Sequence, residues 1–149
     1  MAINGYSDAM SPEAQKLVTG GTFTAPSQWW FALYEVTPDA DGTNLSEEFF
    51  FPSYTRVRIY GSSEVTLPKW VDPGLAGDDF LVSNEQAVYF PTATEDWGTL
   101  NGVVIMNSNP GSLAENMVFG ADVGSPAAIT LNMTVVFLAG AAKLTTRNL

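Results

Sequence analysis

The 149-residue chain contains no cysteine and no histidine. Without cysteine there are no disulfides, thiolate metal sites or thiol nucleophiles, and the redox compartment is left open. Without histidine the commonest general base and the commonest transition-metal ligand are both gone, and a Ser-His-Asp triad cannot form within one chain. Positive charge is scarce as well: six Lys and Arg stand against sixteen Asp and Glu, a formal net charge of −10. That field repels nucleic-acid backbones and anionic headgroups alike. No basic cluster offsets it, because Arg56 and Arg58 lie close together while Lys16, Lys69, Lys143 and Arg147 are scattered. No stretch approaches the ~18 apolar residues of a membrane span. The opening "MAINGYSDAM" has neither the basic nor the apolar region of a signal peptide. The sequence therefore reads as a soluble protein synthesised in a cytoplasm, with no nucleic-acid partner, no membrane partner and no cofactor.

What is present is apolar. Hydrophobic residues make up 46% of the chain and charged residues only 15%, the profile of a packed domain rather than of a disordered segment. A chain of this length buries roughly 70% of its unfolded surface, so a single domain spanning residues 1–149 is expected, with 1–20 as an N-terminal arm and helix. The helix signal is "SPEAQKLVTGG": Ser11 caps, Pro12 opens the first turn, Glu13 sits at the positive end of the dipole and Gly20 stops it.

The remainder alternates like strands. "QWWFALYEV" (28–36) is apolar on both alternation faces, as in a central strand covered on both sides. In "YTRVRIY" (54–60), Val57 and Ile59 lie between Arg56, Arg58 and Tyr60, which predicts one wet face and one core face. "SEVTL" (63–67) reads as a further short strand, and residues 68–79, with "DPGLAGDD", as a surface loop. "QAVYF" (86–90), "NGVVIMN" (101–107), "NMVFG" (116–120), "AITLNMTVVFLAG" (128–140) and the tail "KLTTRNL" follow, with "SNPGS" and "VGSP" as turns. In the penultimate segment Leu131, Met133 and Val135 alternate with Thr130, Asn132 and Thr134, a period of two. Short strands at regular spacing predict an all-β fold, an antiparallel β-sandwich of jelly-roll type with a short N-terminal helix. No internal repeat, heptad run or low-complexity linker is present.

Each group that could carry chemistry has a plainer explanation. Asp39, Asp41 and Asn44 surround a glycine in "DADGTN", and Glu47 or Glu48 could complete a calcium shell, but further ligands and flanking helices are missing and an Asp-Gly turn accounts for the same residues. The pairs Glu47/Glu48, Asp78/Asp79 and Glu95/Asp96 are sequence neighbours, which on a strand point to opposite faces, so adjacency does not make a glycosidase pair. Ser62 and Ser63 lack the glycine-flanked elbow of a nucleophile, and "TGG" (19–21) follows a helix instead of opening one onto a phosphate. No catalytic residue and no metal site is assigned. Aromatic residues are the other resource. Trp29, Trp30, Phe49, Phe50, Phe51 and Tyr54, with Arg56 and Arg58 nearby, are candidates for a protein interface, since three consecutive phenylalanines cannot all face one core and at least one should point outward.

The order of these segments resembles a family of small tailed-bacteriophage virion proteins, many of them labelled tail fibre protein. The likeness follows a short N-terminal helix ending near "TGGTFTAPSQWWFALYEVTPD", then "YTRVRI", then "SNEQAVYFPTATEDWGTLNGVVIMN" and a late "FLAGAAKLT". Its most specific part is "FPTATEDWGTLNGVVI" (90–105). The resemblance implies that "PTATEDWG" is a structural corner: Pro91 closes a strand, Asp96 bonds backbone donors of the corner, Trp97 packs down as a lid on the sandwich, Gly98 supplies permissive backbone and Glu95 faces water. "SSEVTLPKWVDPGLAGDDFLV" and "SEEFFFP" depart from the family pattern. The resemblance further implies a virion structural protein. A capsid decoration (cement) protein that contacts the major capsid protein or other virion proteins and self-associates as a homotrimer is the first expectation, and a tail fibre, baseplate or receptor-binding component the second. The missing shaft repeats favour the first, which would place the chain on the capsid surface.

Overall fold

The computed structural model describes residues 19–22, 29–37, 39, 41, 43–59, 70–76, 79–107, 117–141 and 143–146. Of the helix expected from Ser11 to its stop at Gly20, only Thr19 and Gly20 are among the described residues, Gly20 with φ 79°; the strand expected over 63–67 lies outside them. Among those described, the elements run β1 (Trp29–Tyr34), a 3-10 turn (Leu45–Glu47), β2 (Val57–Ile59), β3 (Trp70–Ala76), β4 (Asp79–Asn84), β5 (Val88–Thr92), β6 (Gly98–Met106), β7 (Met117–Ile129), β8 (Thr134–Phe137) and β9 (Lys143–Thr146). All pairings are antiparallel. They make a four-stranded sheet in the order β2-β1-β6-β7, a three-stranded sheet in the order β3-β4-β9, and a two-stranded β5-β8 ribbon.

The doubly apolar sequence of 28–36 has its explanation in the position of β1, which lies between β2 and β6 with Phe31 opposite Ile105 and Leu33 opposite Val103. Because successive side chains alternate between faces, the sheet divides its apolar residues into two sets. Phe31, Leu33, Ile59, Val103 and Ile105 join one large cluster with Val88 and Phe90 of β5, Val135 of β8, and Phe49 and Trp97. Ala32, Tyr34, Val104 and Met106 join a second with Leu45 of the 3-10 turn. The ribbon packs on the first face, where the Phe137 ring lies 5.7 Å from Phe31 and 6.1 Å from Phe90, centroid to centroid. Beyond the end of β2, residues 47–49 take over as the neighbour of β1: Glu48 bridges to Tyr34, Glu35 N–H donates to Glu47 and Phe49 N–H to Leu33.

Four expectations are corrected. Residues 68–79 are not simply a loop, since β3 runs through "WVDPGLA" and pairs with β4, a strand that alternation did not single out. The register shifts between Val71 and Gly74, which lets Asp72 and Pro73 leave the ladder that proline cannot join. "VGSP" is not a turn between strands but an excursion within the 13-residue β7. Leu100 pairs with Ala127 and Gly102 with Asp122, so the residues between stand out of register, and Asp122 accepts the Gly124 N–H at their base. The segment 128–140 is not one strand: β7 ends at Ile129 and β8 begins at Thr134. Between them Met133 N–H donates to Thr130 at 3.0 Å, closing a β-turn with Asn132 at φ 67°, a conformation asparagine tolerates better than most residues. Leu131 and Met133 are accordingly exposed. Finally, the arginine face of β2 and its approach is not wet, because the Arg56 side chain is only 6% exposed.

Candidate interaction surface and its internal supports

The corner 91–98 is locked from three directions. Pro91 and Thr92 complete β5 and Gly98 opens β6. Between them, Ala93 N–H donates to Met133 and Ala93 accepts from Asn132, both at 2.8 Å, while Trp97 N–H donates to Ile129 at 2.9 Å. Asp96 accepts the Leu131 N–H at 2.9 Å, so its donor belongs to the turn before β8 and not to its own corner. A third segment enters through Ser53, whose hydroxyl accepts the Thr94 N–H at 3.2 Å and the Trp97 indole N–H at 3.3 Å.

Trp97 itself is fully buried at 0% exposure. Its indole lies nearly parallel to Phe51 at 6.3 Å, edge-on to Tyr54 at 5.6 Å and tilted against Phe49 at 6.0 Å, geometries that the aromatic quadrupole favours. The segment "FFFPSY" is therefore what Trp97 packs against. Glu95 is exposed, and Gly98 has φ +96°, in the left-handed half of the map that disfavours side chains.

A second internal support lies at Glu48. Its carboxylate receives Arg56 Nε at 2.8 Å and Nη2 at 2.5 Å in the bidentate fork that guanidinium and carboxylate favour. It also accepts the Tyr54 hydroxyl at 3.0 Å and the Tyr34 hydroxyl at 3.4 Å. Tyr54 Oη in turn accepts the Leu33 N–H at 2.9 Å. Burial first, and then the Glu48 charge, raise both tyrosine hydroxyls above their ordinary range. Burial alone would lower the Arg56 guanidinium, but the Glu48 hydrogen bonds and charge outweigh it and the group is raised. Neither the carboxylate nor the guanidinium faces open solvent, so the cluster ties 48–56 to β1.

These supports disperse the expected interface set. Phe49 is buried, Phe51 and Tyr54 are half-buried against the large cluster, and Arg56 is committed to Glu48. Trp29 and Trp30 are half-buried on opposite faces of the sheet, Trp29 against the large cluster and Trp30 against the smaller. Arg58 is half-buried, facing Trp30 across the ladder. Phe50 alone of the set stands in solvent, 97% exposed. In the "DADGTN" loop the oxygens bond to the loop itself: Asn44 Oδ1 accepts Asp39 N–H, Asp41 Oδ1 accepts Thr43 N–H, and Asp39 Oδ2 accepts the Thr43 hydroxyl. Among the described residues no three acidic side chains gather where they could hold a metal ion.

Sequence reading missed the outward face of the ribbon. Tyr89 of β5 lies directly opposite Val136 of β8. Tyr89 is 64% exposed, Val136 37%, and Leu138 beyond the strand end 68%. The alternation in "VYF" and "TVVFL" holds the signal, because Val88, Phe90 and Val135 face the core and their neighbours must face out.

Residues 9–145 match the protein family described as podophage GP4 fiber I protein gp80. The chain belongs to that family. The fiber I match extends from before β1 into β9, so it contains β1 to β8 and all of β9 except Thr146. Membership among the fiber I proteins makes the chain a structural protein of phage-fibre type. No curated protein matches the chain.

Proposed function

We propose that this chain is a non-enzymatic structural subunit of a phage fibre, attached to the tail or baseplate, that joins other virion proteins and copies of itself through exposed apolar side chains. In this reading the four-stranded sheet and the β5-β8 ribbon are the two layers of a sandwich, with the large aromatic cluster between them. The observation that carries it is the commitment of polar side chains to the fold itself. Glu48 and Arg56 hold each other and two tyrosines, Asp96 holds a neighbouring turn, and Ser53 holds the Trp97 indole. Such an arrangement favours rigidity over reactivity. The fiber description of the matched family supports the tail position.

A capsid decoration protein is the second reading. It is favoured by the absence of shaft repeats and heptads from the 149 residues, which are what give a fibre length. Quantitative mass spectrometry of purified virions separates the two. A copy number far below that of the major capsid protein, with label at the tail in electron micrographs, supports the fibre reading. Stoichiometry near that of the major capsid protein, with label over the head, overturns it in favour of decoration.

A further inference from the structure

We infer that the outward face of the β5-β8 ribbon is a self-association surface, occupied by a second copy of this chain. The inference rests on the structural-subunit reading and goes beyond it by naming the face and the occupant.

The argument begins with charge. In a molecule of net charge −10, most ways of bringing two copies together oppose like charges. Residues 86–94 and 128–142, which supply β5, β8 and the turn before β8, contain no Asp, Glu, Lys or Arg. The ribbon is therefore a place where two acidic copies can meet without setting carboxylates against each other. Glu85 and the Glu95/Asp96 pair stand at its borders.

The face is also apolar where it is exposed. Tyr89 and Val136 are cross-strand partners, and Leu138 continues the outward alternation of Thr134 and Val136. The turn adds exposed Leu131 and Met133. Outward β-branched, aromatic and leucine side chains on a charge-free ribbon are the composition of an interface centre rather than of solvated surface. Polar contact is available too, since the Thr92 and Thr134 hydroxyls lie 2.8 Å apart on the same exposed stretch.

The ribbon is held stiffly enough to serve. Its inner side chains Val88, Phe90, Val135 and Phe137 pack into the large cluster. The hydrogen bonds from Ala93, Asp96 and Trp97 to 129–133 fix its end. Asn84 Nδ2 secures the other end, donating to Leu138 at 2.9 Å and to Gln86 at 2.7 Å. A preorganised face loses little freedom when a partner arrives. Phe50, although more exposed, is a single side chain on another segment and supplies no comparable area.

The test compares the full chain with Tyr89→Glu/Val136→Glu and with Phe50→Ser, using sedimentation equilibrium at low and high sodium chloride. Circular dichroism and the combined emission of the four tryptophans check that each variant is folded. The wild type is expected to self-associate, and more tightly as salt screens the −10 charge. The double variant is expected to weaken association about 100-fold, because like charges are forced together on an apolar contact. Phe50→Ser is expected to leave it unchanged. A wild type that stays monomeric throughout, or an oligomer indifferent to the double variant but lost in Phe50→Ser, overturns the inference. Detection of the chain in purified virions is scored separately: its presence alongside a monomeric wild type sinks the ribbon surface and leaves the structural-subunit reading intact, whereas its absence from virions sinks that reading.

Discussion

Arg56 closes on Glu48 through two hydrogen bonds of 2.8 and 2.5 Å, and the pair is almost shut off from solvent, with side-chain exposures of 6% and 14%. Breaking such a pair from one side leaves the other charge without its partner in a poorly solvated place. Arg56→Met should therefore destabilise the fold by about 3 kcal/mol. Glu48→Leu should cost a similar amount, since it also strips the acceptor from Tyr54. The double variant should be clearly less destabilised than the sum of the two singles. Urea denaturation of all four proteins gives the cycle, and strict additivity would show that the pair is not coupled.

The two tyrosines that lean on Glu48 predict a loss of stability at alkaline pH. Both hydroxyls are raised from an ordinary value of 10.0 by burial and by the neighbouring carboxylate. The folded state therefore keeps its phenolic protons while the unfolded chain begins to release them near pH 10. The unfolded state then binds fewer protons, and stability falls as pH rises. This contribution is fully present below about pH 10, where free tyrosine is neutral, and declines above it. Denaturation midpoints measured between neutral pH and pH 11 should drop more steeply for the wild type than for Tyr54→Phe. Parallel pH profiles would rule the linkage out.

Ser53 offers a sharper probe of the corner than Trp97 does. Replacing Trp97 by alanine removes a side chain at 0% exposure and should cost about 3–5 kcal/mol, but any buried tryptophan would behave that way. Ser53→Ala removes one oxygen and leaves both the indole N–H and the Thr94 N–H without their acceptor. A cost of about 1–3 kcal/mol is expected for the indole donor stranded in this way, since the Thr94 N–H is exposed and turns to water. Ser53→Thr should restore most of it. Thermal melts of the three variants decide the point, and a Ser53→Ala protein as stable as wild type would show that solvent replaces the hydroxyl.

What could be read in advance depended on whether the cause was local. The corner at 91–98 was read through the family resemblance, whereas the central place of β1 was legible because both its alternation faces are apolar. The strand character of "WVDPGLA" was not, since Asp, Pro and Gly carry turn chemistry locally and only pairing with β4 overrides it. The same holds for "VGSP", which is drawn into β7 by the long ladder with β6. Arg56 looked like a surface charge because nothing in "YTRVRIY" indicates that Glu48, eight residues earlier, is folded back beside it. The turn at 130–133 did have a local signal in Asn132, but an unbroken alternation of apolar and polar residues concealed it.

Gly98 separates two costs that are usually confounded. A Cβ added there would come within 2.6 Å of Glu35 Oε1, and the residue has φ +96°. Glu35 is exposed and its carboxylate is the free end of a flexible side chain, so rotation relieves the contact cheaply. The backbone has no such escape, because Gly98 opens β6, where Thr99 already pairs with Ala128. Gly98→Ala should therefore destabilise by about 1–2 kcal/mol, the cost of holding a side chain in the left-handed region. The loss should be the same in a Glu35→Ala background, where the steric partner is gone. Chemical denaturation of the two single variants and the double variant distinguishes the terms. If removing the Glu35 side chain rescued Gly98→Ala, the clash and not the backbone would be the reason for glycine at the start of β6.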